Sequence, residues 1–231
     1  MLRRISKFLR KQNSKQAITY AQCGEDVIID FAFQTMGINH PTYLDIGAHH
    51  PTYLSNTYYF YKKNSRGICI EPDPILSQKI TKKRPKDICL NIGIGAKIET
   101  SDFFIMSTPT LNTFSRKEAE RLENTTSQKI QKIVKIPLLT VENIIEKQGG
   151  GKCPNLISLD VEGLDMAILQ SIDFDKYRPE IVCVETLTFT EDNNEKKITE
   201  IINLMLENDY FLYADTYINS IFVCNKAWEK R

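Results

Sequence analysis

Four short apolar runs in this chain each lead into a residue type that can hold a nucleotide or move a proton. Tyr43-Leu44-Asp45-Ile46 leads into Gly47-Ala48-His49-His50, Gly67 to Ile70 into Glu71, Leu156 to Leu159 into Asp160, and Ile181 to Val184 into Glu185. Gly47 has no Cβ, so backbone there can come close to a ligand, with Ala48 next to it. Glu71 stands about twenty residues further on, the distance at which an acid reaches ribose hydroxyls in a nucleotide-binding βαβ unit. Gly93-Ile94-Gly95 follows a third apolar run and could leave an open surface for an adenine. A plainer reading stands beside this one: Asp45 and Gly47 shape a turn, and Glu71-Pro72-Asp73-Pro74 caps a helix.

A dinucleotide fold would carry Gly-x-Gly-x-x-Gly after its first strand. Here the positions read Gly47-Ala48-His49-His50-Pro51-Thr52, without the later glycines. A pyrophosphate cradle is therefore not expected, which favours a nucleoside without phosphates such as S-adenosylmethionine. An NAD-dependent oxidoreductase on the same sheet is the rival enzyme reading, and a non-catalytic nucleotide-binding module is the third.

These residues need a scaffold that brings strand ends together. The 231 residues are 42% hydrophobic and 26% charged, enough for one generous domain. From Tyr43 onward, four- to six-residue apolar runs alternate with helical patterns, among them Val27 to Met36 just before, Leu54 to Lys63, Pro74 to Arg84, Val141 to Lys147, Leu164 to Ser171 and Ile198 to Leu206. Such alternation implies right-handed βαβ units and a doubly wound, mostly parallel α/β sheet, whose ligands bind at the carboxyl ends of the strands. Phe103 to Met106 and Val134 to Ile136 read as two more strands around a polar helix. Phe211 to Tyr213 and Ile221 to Val223, joined by a short turn, must be antiparallel. In the first of the helices, Val27, Ile28, Phe31 and Ala32 are expected to be buried.

With 30 basic and 29 acidic side chains the net charge is +1, which gives no field for nucleic acid. Six scattered cysteines without a Cys-x-x-Cys pair fit a reducing, cytoplasmic setting. No apolar stretch reaches the roughly 18 residues of a membrane span. Residues 1–20 form a separate basic segment ahead of a domain over 21–231. Leu2, Ile5, Phe8 and Leu9 recur at helical spacing among Arg3, Arg4, Lys7, Arg10 and Lys11, a pattern suited to peripheral contact with an anionic inner-membrane surface as well as to a frayed or core-packed helix.

From Ala21-Gln22-Cys23-Gly24-Glu25-Asp26 to its last strand, the chain resembles the FkbM-type S-adenosylmethionine-dependent methyltransferases. Tyr43 to Pro51 with Ser55-Asn56-Thr57, then Gly67 to Pro72, then Ile157-Ser158-Leu159-Asp160-Val161-Glu162-Gly163-Leu164-Asp165, and finally Arg178-Pro179 with Val182 to Glu185, carry the resemblance. It implies a seven-stranded Rossmann-like methyltransferase sheet and O-methylation of a hydroxyl on a sugar, a glycolipid or polysaccharide precursor, or a natural product. It further implies that Asp45 and Gly47 belong to the cofactor loop, that Glu71 holds the ribose, and that Asp160 and Glu162 lie beside the reacting methyl.

A hydroxyl acceptor must lose its proton near the transition state, to a base or with help from a metal. His50, with an ordinary imidazole pKa near ~6.5, is the first candidate base, and a role limited to hydrogen bonding its loop is the alternative. Asp160, Glu162 and Glu185 could converge on Mg²⁺ as an alternative, although acids at strand ends are also common helix caps. Asp165 is expected to favour the start of its helix. Of Tyr53, Tyr58, Tyr59, Phe60 and Tyr61, about half are expected in the core, and one or two at the loop could stack on a sugar. Lys79, Lys82, Lys83, Arg84 and Lys86 read as a solvated helix face.

Overall fold

The computed structural model describes residues 17–161, 163–188 and 195–231. The basic segment at the start falls outside these residues except for positions 17–20, and so does Glu162.

The main sheet is built from β1 (Tyr43–Ile46), β2 (Gly67–Ile70), β3 (Ile88–Leu90), β7 (Leu156–Leu159), β8 (Ile181–Glu185), β9 (Tyr210–Asp215) and β10 (Asn219–Cys224). Its order is β3-β2-β1-β7-β8-β10-β9. The first five strands run parallel, and β10 is antiparallel to both β8 and β9. This is the seven-stranded, Rossmann-like sheet with an antiparallel closing hairpin. Strand order reverses between β1 and β7, which puts the switch-point crevice beyond Ile46 and Leu159. All four residues of β1 and of β7 are buried, as expected of central parallel strands covered on both faces.

The helices follow their apolar spacing. In α5 (Val141–Lys147), Val141, Ile144 and Ile145 face the core and the Thr140 hydroxyl accepts the Asn143 N–H at 3.2 Å as N-cap. In α7 (Thr199–Glu207), Ile201 and Met205 are the buried i, i+4 pair. Between them, α6 (Asp165–Gln170) buries Ile168 and Leu169. α3 (Pro74–Lys83) begins with Pro at N1 and Asp73 as N-cap, whose carboxylate accepts the N–H groups of Ile75 and Leu76.

Several expectations need correction. α1 (Glu25–Thr35) buries Ile29, Ala32 and Phe33, whereas Phe31 is exposed and Val27 and Ile28 are only partly covered. The helix is rotated because Glu25 and Asp26 at its start are themselves buried by hydrogen bonds, Asp26 to the Tyr20 N–H and Thr19 hydroxyl and Glu25 to Asn219 and Thr216. α2 spans only Tyr58–Lys62, since Leu54 to Thr57 form loop backbone. The runs around 103 and 134 lie in a second sheet. There β5 (Glu99–Met106) and β6 (Ile130–Leu139) pair antiparallel around α4 (Arg116–Thr125), and β4 (Gly93–Ile94) joins β6 in parallel. α8 (Asn225–Glu229) ends the chain, and no helix among the described residues is long and apolar enough to cross a membrane.

Arg84 is the largest departure. It is 0% exposed rather than part of a solvated face. Its Nε donates to Asp87 at 2.8 Å, and its Nη2 donates to the hydroxyls of Thr57 at 2.9 Å and Tyr43 at 3.1 Å. A guanidinium can be buried when its donors meet fixed acceptors of this kind, and Asp45, 3.8 Å away, completes the charge balance.

Candidate active site

A cavity of about 440 Å³ opens at the carboxyl ends of β1, β2, β7 and β8. Gly47, Glu71, Gly93, Asp160 and Glu185 line it, all singled out from the sequence. The volume lies in the usual range for small-molecule sites, about 300–1,000 Å³.

Gly47 is fixed by a close approach. Its φ is +80°, and a Cβ there would stand 1.8 Å from the carbonyl oxygen of Asp160. The turn after β1 therefore lies directly on the turn after β7, and the Asp160 N–H closes the contact by donating to Ile46 O at 3.1 Å. Asp160 lines the cavity and is exposed to it. The protein packed around the cavity floor, followed by the nearby charges of Asp165 and Asp45, raises its carboxyl above the ordinary range.

Glu71 ties two loops together. Its Oε2 accepts the His49 N–H at 2.7 Å and its Oε1 accepts the Asp73 N–H at 2.7 Å. Burial pushes its carboxyl up to about 8, against the lowering effect of those two N–H groups. Asn91 Nδ2 fixes the backbone beside it, donating to the carbonyls of Glu71 and Pro72. Beyond its N–H bond each carboxyl oxygen keeps one further position, a lone pair or the acid proton, and these two positions suit the two hydroxyls of a ribose. Next to it, Gly93, Ile94, Phe103 and Phe114 form an apolar slot. A Cβ at Gly93 would lie 2.4 Å from the Phe114 ring, so glycine keeps the slot's wall flat. A buried carboxylate beside a flat apolar slot fits an adenosine.

Three of the candidates stand elsewhere. Asp45 is buried behind the cavity, where its Oδ2 accepts the Thr57 hydroxyl at 2.5 Å and faces Arg84. It holds the scaffold and does not line the cavity wall. Ala48 is buried against Cys69 and Ile80, and its N–H donates to Ile70 O at 3.0 Å. His50 is also off the cavity. Its Nδ1 accepts the N–H groups of Tyr53 at 3.0 Å and Thr52 at 3.3 Å. The neutral ring then carries its proton on Nε2 and has no lone pair left for a substrate proton. The alternative role of bonding its own loop is the one its geometry serves.

His49 takes the place that His50 was given. It lines the cavity with φ +48°, and burial foremost lowers its imidazole below the ordinary value. Asp165 accepts the N–H groups of Val161 and Gly163 and so shapes the turn after β7. Among the described residues no group of three or more His, Cys, Asp or Glu could hold a metal ion, and Glu162 of the Mg²⁺ alternative lies outside them.

Residues 45–212 match the family described as Methyltransferase FkbM domain. The chain belongs to this family. It is therefore an S-adenosylmethionine-dependent methyltransferase, in keeping with the carboxylate and slot just described. No curated protein matches the chain. Among solved structures, it is similar to a TehB-like SAM-dependent methyltransferase from Corynebacterium glutamicum, with 10% identity, 96% of this chain and 95% of that one covered, and a TM-score of 0.42. An O-methyltransferase from Bacillus cereus in complex with SAH shares 9% identity over 96% and 86% of the two chains, with a TM-score of 0.40. Likenesses this distant carry nothing about the acceptor.

The FkbM methyltransferase also has site residues that escaped the sequence reading. Gln22, Leu54, Asn56, Tyr217 and Asn219 also line the cavity. Asn56 Nδ2 donates to the Ser158 hydroxyl at 3.1 Å, which links the loop after β1 to β7. Asn56 stood within a motif that carried the resemblance. Gln22 stood in the stretch where the resemblance begins, and Leu54, Tyr217 and Asn219 had no signal in residue type or spacing.

Proposed function

We propose that this FkbM methyltransferase methylates a hydroxyl oxygen of an uncharged carbohydrate, free or within a glycolipid or polysaccharide precursor. The observation that carries this reading is the charge of the cavity. Among the described residues its lining includes Glu71, Asp160, Glu185 and Glu195 and contains neither Lys nor Arg. Such a wall can pair with a cationic methyl donor and accept a neutral polyol, and it offers no basic side chain to pair with phosphate or carboxylate groups. The donor, when bound, supplies an electrophilic methyl on a sulfonium leaving group. Asp160 then serves as acceptor of the hydroxyl proton, since its raised pKa makes the ionised carboxylate a stronger base. Gln22, Asn56 and Asn219 supply the amide groups that orient sugar hydroxyls.

Release of S-adenosylhomocysteine (SAH) from S-adenosylmethionine is the assay. The wild-type protein should turn over with neutral methyl glycosides and not with uronic acids or RNA. Turnover with RNA or uronates alone would overturn the reading. The apolar and basic pattern of residues 1–12 supports an extension, an acceptor presented at an anionic membrane surface. Co-sedimentation with anionic vesicles should fall on deletion of residues 1–12, and equal partition would remove the extension.

A further inference from the structure

Among the described residues, five other than glycine have positive φ: His49, Leu54, Asn64, Asp209 and Tyr217. Asn64 and Asp209 are types that tolerate this region, and both are away from the cavity. The other three all line it. Tyr217, at φ +77°, is a bulky residue in a sparsely populated conformation that persists only where its surroundings impose it.

The surroundings do impose it. Tyr217 N–H donates to Asp215 Oδ1 at 2.8 Å, and its carbonyl accepts from Lys197 Nζ at 2.6 Å. Lys197 is held in turn by Asp215 at 2.9 Å and the Thr186 hydroxyl at 2.8 Å. On either side, Thr216 Oγ1 and Asn219 Nδ2 both donate to the buried Glu25, and the Thr186 N–H donates to Ile218 O. All this fastening acts on the backbone. The Tyr217 side chain makes no hydrogen bond or ring contact among the described residues and is 62% exposed at the cavity. Core packing therefore does not account for it. A strained, clamped backbone presents a free aromatic ring at a site that holds polar amides.

We infer that Tyr217 is an acceptor-binding residue whose ring is a stacking platform for the apolar face of a sugar. The inference rests on the hydroxyl-acceptor reading above. It is tested by steady-state kinetics with methyl α-glycosides of glucose, galactose, mannose and rhamnose, together with SAH titration and thermal melting. Tyr217→Asn removes the ring and accepts the left-handed conformation, so it should melt no lower than wild type and bind SAH unchanged. Its KM for the glycoside should rise roughly three- to tenfold, the loss expected of an aromatic contact of this kind. Tyr217→Phe keeps the face and should keep the KM. An unchanged KM in Tyr217→Asn, with wild-type turnover intact, would overturn the role of Tyr217 alone. Wild-type protein that binds SAH yet methylates none of the glycosides would overturn the carbohydrate reading and this inference together.

Discussion

Glu71 accepts the backbone N–H of His49 at 2.7 Å while His49 sits in the left-handed region at φ +48°. One carboxyl thus holds the loop after β1 in its unusual conformation and also lines the cavity. The protonation of Glu71 and the shape of the loop are coupled through these hydrogen bonds.

That coupling predicts a pH dependence of stability. The Glu71 carboxyl is raised from its ordinary value of 4.5 to about 8. Between those values the folded protein holds a proton that the unfolded chain has lost. Its contribution is therefore complete below pH 4.5 and declines as pH rises toward 8, at about 1.4 kcal/mol per pH unit. Urea melts of wild type and Glu71→Gln across this range should show that slope in wild type and a shallower one in the variant. Parallel curves would contradict it.

Arg84 sits among buried acids, and removing it strands them. Arg84→Met leaves Asp87 and Asp45 without their cation, which should cost about 3–5 kcal/mol. The loss should appear in chemical denaturation, where Lys83→Met, on the neighbouring exposed position, stays close to wild type.

Asp160 and His50 separate two accounts of the proton. Asp160→Asn should lower kcat by ~10²–10⁴ with SAH affinity nearly unchanged, as expected for a lost proton acceptor. His50→Ala should retain most turnover, because the Nδ1 lone pair is already taken by Tyr53 and Thr52. Near-complete loss in His50→Ala with a normal melting temperature would restore His50 as the base.

The sheet and the placement of Gly47, Glu71, Gly93 and Asp160 were legible in the sequence, because short buried strands ending in an acid or glycine are a local signal. The exchange of His49 for His50 was not. Which of two adjacent histidines faces a cavity depends on a left-handed backbone that a Glu71 hydrogen bond imposes from another loop. Arg84 read as one of a basic run because its partners Asp45, Thr57 and Tyr43 come from distant strands and loops. Tyr217 gave no signal, since its exposure and φ arise from Lys197 and Glu25, which clamp the turn from other parts of the chain.

The central claim is that the cavity between Glu71 and Asp160 holds the adenosyl cofactor. Calorimetric titration of SAH into wild type and Glu71→Ala tests it most directly. Wild type should bind one SAH, and loss of the two ribose hydrogen bonds should weaken Glu71→Ala by roughly ten- to a hundredfold while Tyr217→Asn binds as wild type. Absence of binding by wild type, or equal affinity in Glu71→Ala, would contradict it.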